Sequence, residues 1–236
     1  MNATRAVLFD IGGTLFTYEA ANEGRTERYV RIAETLGRSV DEVTLAFHEG
    51  MVRSSSQHFA KPYYVHKELF GDAYRYALAS LGVEPERVSE LIAPNKEVPA
   101  GLRRFTPRPG AEETLVRLRE MGLHTAAVSN ADEDQFDAMI DGLGFRHLFD
   151  SLICSETVGS CKPDAKIFLA ALESAGCQPH EALFVGDTPD HDIAGAERVG
   201  MRTALIIEDH GVGFERGTAR EGQVVIRELT ELLALL

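Results

Sequence analysis

The sequence predicts an α/β fold: a doubly wound parallel sheet whose first strand is followed by an inserted α-helical module. Three observations predict it. Ala6-Val7-Leu8-Phe9 is a short apolar run that stops at Asp10 and the turn pair Gly12-Gly13, the pattern of a buried strand entering a tight turn. From about Glu19 to Leu102 the apolar residues fall at helical spacing, with no convincing strand among them. Beyond Pro107-Arg108-Pro109-Gly110, strand-like runs alternate with helical segments of about ten to fifteen residues, which indicates a parallel sheet covered on both faces.

Each element follows in order. Inside the module, helices are expected at 20–36, 41–56, 63–81 and 85–92, with Gly37 and Gly82 free to close two of them in the left-handed conformation. After it come a helix at 110–121, a strand at 123–129 and a helix from near Asp132 to Gly142 or Gly144. A strand at 150–154, a helix at 164–175, a strand at 182–186, a helix at 190–199 and a strand at 202–207 continue the alternation. A strand near 223–226 and a short helix end the chain. The expected partition is a core of 1–16 and 106–236 with a module of 17–105.

Composition narrows the class. A formal net charge of −13 over 236 residues disfavours nucleic acid and anionic lipid as partners. No apolar run approaches the roughly 18 residues of a membrane span, and Met1 to Phe9 lacks the parts of a signal peptide. Cys154, Cys161 and Cys177 are an odd set without CxxC spacing, so they read as reduced packing residues in a cytoplasmic protein. An acidic chain that handles an anion needs a local source of positive charge.

In parallel sheets of this kind, ligands lie beyond the carboxyl ends of the strands. Four ends carry polar groups: Asp10 after the first, Ser129-Asn130 after the second, Ser160-Cys161-Lys162-Pro163 in the loop after the third, and Gly186-Asp187 through Asp192 after the fourth. Taken together and in this order, Phe9-Asp10-Ile11-Gly12-Gly13-Thr14-Leu15, Val128-Ser129-Asn130, Lys162-Pro163-Asp164 and Val185-Gly186-Asp187 resemble the four motifs of the haloacid dehalogenase superfamily. The resemblance covers essentially the whole chain, and the helical module is similar to the cap that many members insert there.

The resemblance implies a Rossmann-like core, a small phosphorylated substrate and Mg²⁺ as cofactor. It makes Asp10 the nucleophile and Lys162 the fixed cation that neutralises it. It makes Asp10, Gly12 (through its carbonyl), Asp187 and Asp192 the metal site, and Gly13, Thr14, Ser129, Asn130 and Lys162 the phosphate contacts. Phosphoryl transfer needs an in-line nucleophile and charge stabilisation, and a hard cation among carboxylates supplies the latter. Thr14 is also expected to fix the turn after the nucleophile. Asp190 reads as a helix-start residue.

One position departs from the family. Most of its phosphatases carry a second Asp two residues after the nucleophile, as general acid and base; here Gly12 stands there. Such a group contributes about 10²–10⁴-fold in rate. Tyr18, Glu19, His58 and His66 are candidate substitutes. Three other readings stay open: a 2-haloacid dehalogenase, whose members also lack that Asp; a phosphonate hydrolase, for which Lys61, Lys67 or Lys96 would be the cap lysine; and a weakly active relative that binds a phosphorylated metabolite. Near the second linker, Arg103, Arg104 and Arg108 read as solvated charges, with contact to a substrate anion as the alternative. In the module, Phe59, Tyr63 and Tyr64 fit its own core better than a substrate wall and are left unassigned.

Overall fold

The computed structural model describes residues 3–17, 19–92, 105–207 and 220–236, without the side chains of 19–24. Tyr18, Lys96, Arg103, Arg104 and the side chain of Glu19 therefore lie outside the described residues. The chain divides into two compact units, one of residues 1–18 with 104–236 and one of 19–103.

The first unit is built on a six-stranded sheet. Strands β1 (Ala6–Phe9), β4 (His124–Ser129), β5 (Ser151–Cys154), β6 (Ala182–Gly186), β7 (Arg202–Ile206) and β8 (Val225–Ile226) lie in the order β5-β4-β1-β6-β7-β8. Every pairing in it is parallel. The alternation within β1 shows why both faces are covered. Val7 and Phe9 enter a core with Leu115 and Leu118 of α5 (Ala111–Glu120) and Ile140 of α6 (Glu133–Leu143). Ala6 and Leu8 point the other way, into a core with Ile167 and Phe168 of α8 (Ala165–Ala175) and Ala196 of α9 (Ala194–Arg198). All four β1 residues are fully buried, so the strand has no polar face and must sit in the middle of the sheet.

Three details were not legible in the sequence. A second, two-stranded antiparallel sheet pairs β2 (Phe16–Thr17) with β3 (Thr106–Pro107), joining the chain where it leaves the first unit to the chain where it returns. A one-turn helix α7 (Ser155–Val158) closes on Gly159 at φ 63°. The expected helix at 190–199 opens as a π-turn over Pro189–Ile193 before α9, and the terminal helix is 3₁₀ over Leu229–Ala234. Runs this short carry no periodicity.

The second unit holds α1 (Glu19–Leu36), α2 (Val40–His58), α3 (His66–Ser80) and α4 (Pro85–Ile92). A capping box starts α2, with Ser39 and Glu42 each bonded to the other's backbone N–H. Ile32, Phe47, Leu78, Val88 and Leu91 form its core. Gly50 lets α2 approach α3, since a Cβ there would meet the carbonyl of Ala73 and the Cβ of Ala77 at 3.1 Å. Among the described residues no helix is long and apolar enough to cross a membrane. The three cysteines are buried thiols.

Candidate active site

Register brings the strand ends together. Phe9 is level with Ala127 of β4 and Val185 of β6, and the N–H of Asp10 continues the pairing to the Val185 carbonyl at 2.9 Å. Asp10 is therefore held by the sheet itself, at the edge of a rigid element. Immediately beyond it, Thr14, Leu15 and Phe16 all donate backbone N–H groups to the Ile11 carbonyl. This folds the chain back on itself, and Gly13 takes φ 82°, which a side chain would resist.

Asp10, Asp187 and Asp192 converge: one carboxylate oxygen from each lies within 4.8 Å of the others. Asp187 follows β6. Asp192 lies in the π-turn, where its Oδ2 accepts the N–H of Thr188 at 3.0 Å. Gly186 is needed behind it, because a Cβ there would run into the Asp192 side chain. Lys162 enters from the loop before α8. Its Nζ lies 2.5 Å from Asp10 Oδ1 and 2.7 Å from Asp192 Oδ1, and it donates to the Val128 carbonyl at 3.1 Å. The ring of Phe184 faces it from 5.6 Å. Lys162 and Asp192 are 3% and 1% exposed, so these charges interact through protein rather than water.

The electrostatics follow from burial. Desolvation raises the Asp10 carboxyl to a pKa of about 6, with Asp192 adding to the rise and Lys162 opposing it. For Lys162, burial works against the charge, but Asp10 and Asp192 outweigh it and hold the ammonium above its ordinary range. His191 sits in the same turn, where burial lowers its imidazole below the ordinary range. Three carboxylates against one lysine leave an excess of negative charge in a small buried volume, which suits a divalent cation.

The residues expected to contact phosphate also shape the site. The N–H of Gly13 is bonded to the Phe16 carbonyl and that of Thr14 to Ile11, while the Thr14 hydroxyl donates to Asp10 Oδ2 at 3.3 Å. These groups build the turn and orient the carboxylate. Asn130 does so too. Its Oδ1 accepts the N–H of Lys162 at 2.6 Å and its Nδ2 donates to the Lys162 carbonyl at 2.9 Å. Its carboxamide thus holds the lysine loop in place. Ser129 is buried at the end of β4. Asp164 caps α8, accepting from Lys166 N at 3.0 Å and from the Ser160 hydroxyl at 2.8 Å.

The largest departure from expectation is Arg108. It is no solvated linker charge: it is 6% exposed, with Nε bonded to the Thr14 carbonyl at 3.2 Å and Nη2 to the Gly13 carbonyl at 2.5 Å. Sequence reasoning also passed over Ser155, whose hydroxyl accepts from Ala131 N–H at 3.0 Å and donates to the Ala131 carbonyl at 3.1 Å. Arg108 had one signal, its place between two prolines, which fix its backbone; Ser155 had none. In the helical unit, His58 Nε2 is 2.9 Å from Asp72 Oδ2 and the ring of His66 packs 5.0 Å from that of Tyr64. Lys61 and Lys67 are exposed, whereas a Schiff-base lysine needs a desolvated or cationic setting.

The chain is similar to known proteins in sequence and in fold. The sequence profile of haloacid dehalogenase-like hydrolases matches residues 4–200. A glyceraldehyde 3-phosphate phosphatase of Methanopyrus kandleri is 31% identical, over 96% of this chain and 99% of its own. Among solved structures, a phosphatase of the same superfamily from Thermococcus onnurineus is 25% identical with a TM-score of 0.68, covering 98% of this chain and 97% of its own. An L-2-haloacid dehalogenase of Xanthobacter autotrophicus, at 22% identity and a TM-score of 0.68 over 98% of each chain, shares the fold.

Proposed function

The chain belongs to the haloacid dehalogenase-like hydrolase family, and on that premise we propose that it is a Mg²⁺-dependent phosphatase acting on a small phosphorylated metabolite through an aspartyl-phosphate on Asp10. One observation carries the reading: three carboxylates converge within 4.8 Å around a buried lysine paired with two of them. A carboxylate that attacks carbon gains nothing from two further acids beside it. A carboxylate that attacks a phosphate needs the charge between them neutralised, and the two further acids would hold the cation that does so. The Methanopyrus relative supports a phosphate ester as the substrate class.

The donor set fits a hard cation. Asp10, Asp187 and Asp192 would hold it through carboxylate oxygens, with the carbonyl of Gly12 as a further oxygen in the turn after the nucleophile. Bound there, Mg²⁺ neutralises charge between the carboxylates and the phosphate.

The chain's own residues do the rest. Asp10 forms a bond to phosphorus as the bond from phosphorus to the leaving oxygen breaks. Lys162 and the Thr14 hydroxyl hold its two oxygens in place, so the attack starts from a fixed geometry. The Ser129 hydroxyl and the backbone after it donate to the phosphoryl oxygens. Water then attacks the phosphorus of the aspartyl-phosphate, releasing phosphate and restoring Asp10. Gly12 brings no side-chain acid, so the leaving oxygen departs as an anion or takes its proton from water. Aryl and acyl phosphates are accordingly expected to turn over faster than alkyl phosphates.

The same glycine favours a second reading, a slow relative that binds a phosphorylated metabolite. One experiment separates the two. Phosphate release from an activated aryl phosphate is measured with Mg²⁺ and with excess chelator, for wild type and Asp10→Asn. Release that requires both metal and Asp10, and that falls steeply for alkyl esters, supports the phosphatase. Binding of the phosphorylated ligand without release supports the second reading. Metal-free hydrolysis of a 2-haloacid would replace both with a dehalogenase.

A further inference from the structure

Arg108 holds the two residues that back onto the acids of the site. Its side chain donates to the carbonyls of Gly13 and Thr14, and its own N–H donates to the Leu15 carbonyl at 2.8 Å. Three successive carbonyls are thus gripped by one residue. Of these residues, Thr14 donates its hydroxyl to Asp10, and Gly13 lies so close to Asp187 that a Cβ would land on the Asp187 carboxylate. Gly12, whose carbonyl is the further oxygen proposed for the cation, is the next residue in the same turn.

The placement of Arg108 follows from the small sheet. Phe16 pairs with Pro107 and Thr17 with Thr106, so Arg108 comes level with the turn as the chain returns from the helical unit. The forked guanidinium matches two adjacent carbonyls through two separate N–H groups, which the single ammonium of a lysine does not. Burial keeps water from substituting for either bond.

We propose that Arg108 is a positioning residue for divalent-cation binding: it sets the turn 12–14 and, through it, the spacing of Asp10 and Asp187. This rests on the reading of those two acids as cation ligands. Removing partners that orient ligands costs about 10–100-fold in metal affinity, and a loss of that size is expected here.

The test is direct Mn²⁺ binding to the full chain without substrate, followed by the free-ion electron paramagnetic resonance signal, well below the unfolding temperature of each variant. Arg108→Met is expected to bind about 10–100-fold more weakly than wild type. Arg108→Lys, which keeps the charge and loses the fork, is expected to fall between them. Arg117→Met, the same change at an exposed site on α5, should bind as wild type. A residue that only stabilised the fold would lower the melting temperature and leave the affinity unchanged. A folded Arg108→Met or Arg108→Lys protein with wild-type affinity overturns the proposal, as does a wild-type chain that binds no Mn²⁺. Mn²⁺ binding by wild type without phosphate release would sink the phosphatase reading and leave the role of Arg108 standing.

Discussion

The strand ends of the α/β unit and the helical unit inserted between β2 and β3 bury polar side chains in different ways. At the strand ends, Asp10, Lys162 and Asp192 are charged, almost fully buried and bonded to one another, with Thr14 and Arg108 fixing the turn around them. In the helical unit the buried polar groups join helices. Ser54 donates to the Leu69 carbonyl at 2.7 Å, and His58 pairs with Asp72. The first set concentrates unbalanced negative charge at one point; the second satisfies local packing. A cluster of buried like charges is costly unless a cation completes it, and this cost is what supports the proposal that the strand ends are the reacting site.

If that contrast holds, substitutions in the two units separate activity from stability. The largest effect is expected at Lys162. Lys162→Met removes the cation paired with both Asp10 and Asp192, and kcat should fall on the order of 10²–10³-fold. Steady-state kinetics at saturating Mg²⁺ checks this. A change under threefold would break the contrast.

A smaller effect comes with pH. Asp10 is raised from 3.8 to about 6 by burial first and by Asp192 second, and a cation must displace its proton. Half-saturating Mg²⁺ should be flat above about pH 6 and rise about tenfold per unit below it. The same raised pKa means that protonated Asp10 stabilises the metal-free fold fully below 3.8, a benefit lost as pH rises through about 6. A metal requirement independent of pH from 5 to 8 would contradict this account.

The smallest effect sharpens the other side. Gly50→Ala pushes a methyl into the α2–α3 contact and should destabilise the protein by about 1–3 kcal/mol, seen in denaturant unfolding. Its kcat at a temperature where the variant is folded should stay within twofold of wild type.

Legibility in the sequence followed the same divide. The parallel sheet was readable because each strand was an apolar run bounded by a turn; Asp10, Ser129 and Asp187 stand at or directly after the ends of such runs, and Lys162 in the loop that follows β5 and α7. Arg108 was misread. Only the two-residue pairing of Phe16–Thr17 with Thr106–Pro107, too short to leave a periodic signal, carries it to the turn. Asn130 has a further role that the sequence did not signal. Its two bonds to the Lys162 backbone span 32 residues of sequence, and no local pattern encodes such a pairing. In the helical unit the helices were legible from spacing, but the Ser54 and His58 contacts depend on which helix faces meet.

The most direct test of the central claim is to quench the reaction in acid during turnover of an aryl phosphate with Mg²⁺, digest the chain and locate phosphate by mass spectrometry. The account predicts a phosphorylated peptide spanning Asp10, lost in Asp10→Asn and in excess chelator. Phosphate release at the wild-type rate with no such peptide under rapid quench, or with Asp10→Asn fully active, would contradict it.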